Sequence, residues 1–156
     1  MKKYEITKIT KKDGVGRDLF RIKALRTFTA GNGKTVNCGE LGGWLDGKSF
    51  LSHEGNSWVF DDSEITDGGN VSLNGVVCGN AWVTEHSIVS GDAVVSGFAW
   101  IGKNSLVSGY AKVEGQAHIS DRVFIDGHAK INGKSEIRGP IKISGNSRIS
   151  GNSNIE

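Results

Sequence analysis

The sequence has little of what many folds depend on. It contains one proline and two cysteines, Cys38 and Cys78, which stand far apart without a Cys-x-x-Cys pair. Such spacing suggests neither a disulfide framework nor a zinc site, so we expect no metal. No apolar run approaches the roughly 18 residues that a membrane span needs, and the N-terminus MKKYEITKITKK lacks the apolar core of a signal peptide. We therefore expect a cytoplasmic protein with no membrane contact.

Charge is also sparse, and this narrows the class of protein. The 156 residues carry a formal net charge of +2, with 37% hydrophobic and 23% charged residues. This composition is too apolar and too weakly charged for a disordered chain. A chain of this length forms one domain, or one domain with a small cap. Glycine, in contrast, is abundant: 23 residues, about twice the usual share.

A six-residue repeat organises the chain from Val59 to Ile155. Stepping by six from Val59 gives 17 consecutive positions, all of them valine or isoleucine, without an insertion. A small residue mostly stands two positions before each, and glycine often stands two positions after. In a short strand, residues two apart share a face, and glycine followed by Asn or Asp favours a turn. The repeat predicts a coil of short stacked strands, three hexads per turn, with Val and Ile filling the axis.

Composition divides the chain into two expected parts. Residues 1–50 hold 11 Lys and Arg against 5 Asp and Glu, whereas residues 51–105 hold one Lys against 7 acids. We expect residues 1–50 to form a basic β-rich cap that covers the first strand edge, and residues 51–156 to form about five to six coils. Docking of the cap on the acidic first coils explains the asymmetry better than a basic surface for nucleic acid, which we do not expect.

The hexads also carry a resemblance. VSGDAV, VSGFAW and VEGQAH resemble the hexapeptide pattern of left-handed parallel β-helices, the isoleucine-patch repeat of bacterial acyltransferases. The segment GELGGWLDGKSFLSHEGNSWV is similar to a signature of the YdcK-like proteins of bacteria and phages. The resemblance implies an all-β, single-stranded left-handed parallel β-helix with a small N-terminal β cap. It also implies self-association, since proteins of this fold are typically trimers.

Residues one before each Val or Ile should point outward, and every eighteenth residue should share a face. The apolar members of the three faces are candidate contacts for a partner or for a second copy: Trp58, Val76 and Val94 on the first, Trp82 and Trp100 with His118 on the second, and Ile88, Leu106 and Phe124 on the third. Exposed apolar patches mark contacts, and tryptophan is enriched at interfaces. The cap, a dimer or trimer of the chain, or a foreign protein could cover them.

One outer face ends in a row of like charges, Lys112, Lys130 and Arg148. Neighbouring like charges on adjacent strands are unfavourable. The row could contact an anion or an acidic partner, or it could simply be solvated surface.

Catalytic chemistry finds little support in the sequence. By resemblance, acyl transfer on this fold uses a histidine beside an extruded loop, and no insertion interrupts these hexads. The histidines at 53, 86, 118 and 128 lack the five-residue pair that binds zinc in γ-class carbonic anhydrases. We interpret the chain as a protein that is not an enzyme and needs no cofactor.

The function that we expect is protein binding: a phage or prophage accessory protein that docks to a host protein such as a defence factor. The phage context comes from the resemblance alone. An acyltransferase-like or small-ligand-binding oligomer is one alternative, and a structural spacer is another.

Overall fold

Short strands alternate with tight corners throughout the computed structural model, which describes residues 2–156. Four strands precede the coils: β1 (Tyr4–Lys12), β2 (Asp18–Ala24), β3 (Phe28–Thr29) and β4 (Thr35–Val36). Within the described range there is no helix, and so none that could cross a membrane.

Nineteen further strands form the coils. The first nine are β5 (Leu41–Leu45), β6 (Phe50–Leu51), β7 (Trp58–Val59), β8 (Glu64–Ile65), β9 (Asn70–Val71), β10 (Val76–Val77), β11 (Trp82–Val83), β12 (Ile88–Val89) and β13 (Val94–Val95). The last ten are β14 (Trp100–Ile101), β15 (Leu106–Val107), β16 (Lys112–Val113), β17 (His118–Ser120), β18 (Phe124–Ile125), β19 (Lys130–Ile131), β20 (Glu136–Arg138), β21 (Lys142–Ile143), β22 (Arg148–Ile149) and β23 (Asn154–Ile155).

Each coil strand pairs in parallel with the strand three positions later, which produces three sheets around one axis. Sheet I contains β5, β8, β11, β14, β17, β20 and β23; sheet II runs from β6 to β21, and sheet III from β7 to β22. Six coils are therefore complete, and β23 begins a seventh. The predicted all-β solenoid with three hexads per coil is confirmed.

Valine and isoleucine fill the axis, as the repeat predicts. The inward residues from Val59 to Ile143 are buried, and Leu45 and Leu51 extend the same lining upstream through β5 and β6. Ile149 and Ile155, in the last strands, are half-buried because fewer strands surround them. The small residues two positions earlier, such as Ala93 and Ala111, are also buried.

Glycine lets successive coils approach closely at the corners. Gly109 has a φ of +64°, a left-handed conformation that side chains rarely adopt, and a Cβ added there would lie 2.7 Å from the backbone nitrogen of Gly127. Gly145 has a similar φ of +65°, but nothing lies within 4 Å of its added Cβ. The two positions therefore separate the cost of the backbone conformation from the cost of close packing.

The hairpin β1–β2 extends sheet I, because β2 pairs antiparallel with β5 and covers its edge. Three ion pairs join this hairpin to the second coil: Lys11 with Glu64 at 2.9 Å, Arg17 with Asp67 at 2.8 Å, and Arg21 with Asp62 at 3.4 Å. Basic residues of the first segment thus meet acidic residues of the second, which explains part of the charge asymmetry in the sequence.

Two residues just before and within β1 fasten the hairpin to the first coil. The buried Lys3 ammonium donates to the backbone oxygen of Ser57 at 2.7 Å, and the Tyr4 hydroxyl donates to the backbone oxygen of Leu51 at 2.7 Å. Burial lowers the pKa of Lys3 to about 8. These contacts hold the N-terminal segment against the solenoid.

Replacing Val95 by aspartate should prevent soluble expression or collapse the melting transition. Val95 is fully buried on the axis, and burying an unpaired carboxylate costs several kcal/mol. Ser96→Asp is the matched control, because Ser96 is the neighbour of Val95 and faces outward. The residue that stacks on it eighteen positions later, Glu114, is already an acid. Thermal melting of both variants checks this, and a Val95→Asp protein that melts like wild type would contradict the register of the axis.

Gly109→Ala should destabilise the protein more than Gly145→Ala. Both alanines would take a left-handed conformation, which costs about 1–2 kcal/mol, but only Gly109 would also push a methyl group into the next coil. We expect a total of about 3 kcal/mol or more for Gly109→Ala. Urea unfolding measures the difference, and equal losses for the two variants would show that close packing of the corners is unimportant.

Candidate functional site

The outward residues of each sheet form a column in strict register. The column on sheet I reads Trp44, Glu64, Trp82, Trp100, His118, Glu136 and Asn154. The column on sheet III reads Trp58, Val76, Val94, Lys112, Lys130 and Arg148, and that on sheet II reads Phe50, Asn70, Ile88, Leu106, Phe124 and Lys142. The eighteen-residue spacing expected from the sequence therefore holds on all three sheets from Trp58 onward, whereas the first steps, from Trp44 to Glu64 and from Phe50 to Asn70, span twenty residues.

Two residues expected on the open surface of sheet III are fully buried, Trp58 and Val76. The short hairpin β3–β4 packs here, and the ring centroid of Phe28 lies 5.4 Å from that of Trp58 in an edge-on arrangement. Tyr4 also contacts Trp58 edge-on, with a centroid distance of 6.2 Å. Because the chain itself covers these side chains, they are inaccessible to a partner, while Val94 is half-buried beside the tip of the hairpin.

Farther along sheet I, Trp82, Trp100 and His118 form what we call the aromatic column. The Trp82 and Trp100 centroids are 6.2 Å apart with an interplanar angle of 78°, so the two indoles meet edge-on. The His118 ring lies 4.2 Å from the Trp100 ring and is tilted by 41°. Both tryptophans are half-buried and His118 is exposed. The structure therefore brings these three candidate residues together on one accessible face.

Buried neighbours fix the orientation of both indoles. The Trp82 Nε1–H donates to the hydroxyl of Thr66 at 2.7 Å, and that hydroxyl in turn hydrogen-bonds the hydroxyl of Thr84 at 2.9 Å. The Trp100 ring lies over Gly102, where any side chain would overlap it. Fixed aromatic side chains lose little conformational freedom on binding, which suits them to a contact surface.

Partial burial of the exposed His118 ring, which has Trp100 against one face, and then the positive charges of Arg138 and Lys103 lower the pKa of His118 below the ordinary value of an imidazole. Asp121 and Glu85 act in the opposite direction, but their effect is smaller. A lowered pKa favours the neutral imidazole, which retains one nitrogen that can accept a proton or a hydrogen bond.

The candidates on sheet II form a second accessible row. Ile88 and Phe124 are each 37% exposed, and Leu106 between them is half-buried. The Lys142 ammonium lies 5.6 Å from the Phe124 ring centroid and so covers one end of the row.

Lys112, Lys130 and Arg148 are adjacent in register on sheet III, and all three are exposed. None of them forms an ion pair within residues 2–156. The row is a strip of unpaired positive charge on the coils beyond the β3–β4 hairpin.

Sequence reasoning missed the corners between sheets I and II. Seven residues other than glycine adopt left-handed conformations there: Asp67, beside Gly68, and three stacked pairs, Glu85 and His86, Lys103 and Asn104, and Asp121 and Arg122. The signal was present in the sequence, because the hexads of the three pairs lack the glycine that the other corners use. The stacked pairs line a shallow cleft of charged side chains close to His118.

Trp44 was also missed, because it precedes the regular hexads. It lies on β5, is 7% exposed, and pairs in register with Glu64. The Lys11 ammonium lies 4.6 Å from the centroid of the Trp44 ring, and the Arg21 guanidinium lies 5.0 Å from the same centroid. The N-terminal hairpin therefore covers the start of sheet I with cations.

Across the described residues, no three His, Cys, Asp or Glu side chains form a group that could hold a metal ion. Cys38 is an exposed free thiol and Cys78 a half-buried one.

Comparison with known proteins adds one partial likeness. No family model matches the chain. A stretch of 49 residues is 39% identical to a protein of Escherichia coli strain K12 named "Uncharacterized acetyltransferase YdcK". The stretch covers 31% of this chain and 14% of that protein. The interpretation of the chain as a protein that is not an enzyme is contradicted by this likeness, because the relative is named as one.

Arg138→Gln should raise the pKa of His118, because it removes a positive charge that disfavours the imidazolium ion. Lys134→Gln is the control, since Lys134 is not among the groups that shift this imidazole. Titration of the His118 ring protons by NMR measures both variants. A wild-type value at or above about 6.5, or equal values for the two variants, would contradict this description of the site.

Proposed function

We propose that this chain is a protein-docking β-solenoid whose contact surface is the aromatic column. The observation that carries the proposal is the pair of adjacent, half-buried indoles of Trp82 and Trp100, held edge-on at 6.2 Å on the outer face of sheet I. Neither ring fills the axis, because Val83 and Ile101 do so. Their size and fixed orientation therefore serve the outer surface rather than the core.

The burial of the other two tryptophans supports this interpretation. Trp44 and Trp58 are 7% and 0% exposed, because the N-terminal strands cover them. The same covering does not extend to Trp82 and Trp100. Large apolar side chains left open on a monomer often mark an interaction site, and tryptophan is the residue type most often found at interface hot spots.

The column also changes in polarity along the rod. Trp82 and Trp100 are followed by His118, then by Glu136 and Asn154. An apolar centre that passes into a polar border is the usual arrangement of a protein interface. The partner that we propose is a protein that places an apolar surface on the two indoles and polar groups beside His118.

The resemblance to proteins of bacteria and phages suggests where to look for that partner. A host protein bound by a phage-encoded chain is the first candidate, and a second copy of this chain, in a dimer or trimer, is the competing occupant. The Ile88, Leu106 and Phe124 row provides a second apolar face for such self-association.

Acyl transfer is a second candidate function, favoured by the name of the E. coli relative and by the neutral imidazole of His118. A histidine that is neutral at neutral pH can accept a proton from an attacking hydroxyl or amine. In this case acetyl-CoA should bind the wild-type chain, and His118→Ala should abolish thiol release from acetyl-CoA in the presence of an acceptor. Calorimetry and a thiol assay test this candidate independently of docking.

Replacing both Trp82 and Trp100 by alanine should abolish docking while leaving the axis intact. Interface tryptophans contribute about 2 kcal/mol or more each, so partner affinity should fall by at least about a hundredfold. The matched control is Phe98→Ala combined with Tyr110→Ala, since these aromatic residues are 65% and 58% exposed and lie at corners outside the column.

The measurement is binding of a partner that the wild-type chain captures reproducibly, together with light scattering and thermal melting. Loss of binding at unchanged size and melting temperature, with the control intact, supports docking. A change in oligomeric state would identify self-association as the role of the column. Wild-type behaviour of the double variant in all assays would refute the proposal.

A further inference from the structure

We propose that the cleft at the start of the aromatic column binds a positively charged side chain, a lysine or arginine of the docking partner. The cleft has a volume of about 460 Å³ and is lined by Lys11, Trp44, Asp62, Glu64, Asn80, Ala81 and Trp82. Assigning the cation to a partner rests on the proposed docking function, whereas the preference of the cleft for positive charge does not.

The chain's own cations show how this surface binds positive charge. The Lys11 ammonium lies 4.6 Å from the Trp44 ring centroid and 2.9 Å from a carboxylate oxygen of Glu64. The Arg21 guanidinium lies 5.0 Å from the same ring and 3.4 Å from a carboxylate oxygen of Asp62. Each cation therefore combines an indole face with a carboxylate, an arrangement that attracts ammonium and guanidinium groups electrostatically.

The same combination recurs on the other side of Glu64. Glu64 lies in register between Trp44 and Trp82, with each indole one strand spacing, about 4.8 Å, away at the backbone. No lysine or arginine of the described chain lies over the Trp82 ring. The side of the cleft that faces Trp82 therefore repeats the surroundings of Lys11 without a cation from this chain.

Acceptors for a further cation are present on that side. The Asp62 side chain is 65% exposed and that of Glu64 is 24% exposed. A carboxylate has two oxygens and about four lone-pair sites, so one ion pair does not saturate it. Asn80, whose side chain carries an amide oxygen, also lines the cleft.

Local charge distinguishes a cationic ligand from an apolar one. The charged residues that line the cleft are two acids, Asp62 and Glu64, and one lysine, Lys11. An apolar side chain in the cleft would contact Trp82 but would remove water from Asp62 and Glu64 without replacing its hydrogen bonds, which is unfavourable. A lysine or arginine side chain satisfies both the ring and the carboxylates.

The test uses N-acetyl-lysine N′-methylamide as the probe and N-acetyl-norleucine N′-methylamide as its uncharged counterpart. The indole N–H resonance of Trp82 in the wild-type chain is followed by NMR during titration. We expect a saturable shift with the lysine probe and at least about tenfold weaker binding of the norleucine probe. Equal affinity for the two probes would overturn the inference.

Variants locate the site. Glu64→Gln and Asp62→Asn should each weaken the lysine probe about tenfold. Glu136→Gln, an acid of the same column with no neighbouring indole, should leave binding unchanged. Lys11→Met should strengthen binding, because it frees the carboxylate of Glu64. If the lysine probe bound both Glu64→Gln and Asp62→Asn as it binds the wild type, the probe would occupy another site and the inference would be overturned.

This experiment and the tryptophan experiment can fail separately. If partner binding depends on Trp100 but the probe does not distinguish charge, the cation site is refuted and docking stands. If the lysine probe binds as described but the double tryptophan variant still captures the partner, the docking function and the assignment of the cation to that partner are both refuted.

Discussion

The stacking of one coil on the next through backbone hydrogen bonds is the constraint on which the rest of this structure depends. Strands in register lie about 4.8 Å apart, and in the regular hexads each strand residue stands directly above the residue eighteen positions earlier. At the glycine corners this spacing leaves no room for a Cβ, as at Gly109 and Gly127, where an added Cβ would lie 2.7 Å from the backbone nitrogen of the next coil. It also requires β-branched residues of uniform size along the axis. The outer columns follow from the same geometry.

The sequence predicted the repeated part of the fold because each repeat is governed by local rules. The inward Val and Ile, the parallel stack and the pairing of Trp82 with Trp100 all follow from one period, and the structure has all three. The edge-on geometry of the two indoles could not be predicted, since it depends on the hydrogen bond to Thr66 and on the space over Gly102. The strand register determines which side chains are neighbours, whereas the rotamer of each side chain depends on its local contacts.

Prediction was weakest where the chain departs from the repeat. Trp58 fits the period and was expected to be open, but the β3–β4 hairpin buries it. No periodic rule could reveal this, because the contact joins residues about 30 positions apart in segments of different texture. Trp44 was overlooked for the same reason. The N-terminal strands therefore determine which outer aromatics remain accessible. The likeness to a named acetyltransferase contradicts the expectation that the chain is not an enzyme, and it favours the acyltransferase-like alternative that the hexads had already suggested.

The N-terminal strands cover two of the tryptophans and leave two open on the column of sheet I. Labelling all four tryptophans with 5-fluorotryptophan and recording ¹⁹F NMR spectra in H₂O and D₂O tests it directly, because only accessible rings show a solvent isotope shift. Single Trp→Phe variants assign the resonances. The account predicts isotope shifts for Trp82 and Trp100 and none for Trp44 and Trp58. Shielded resonances for Trp82 and Trp100, or an accessible Trp58, would contradict it.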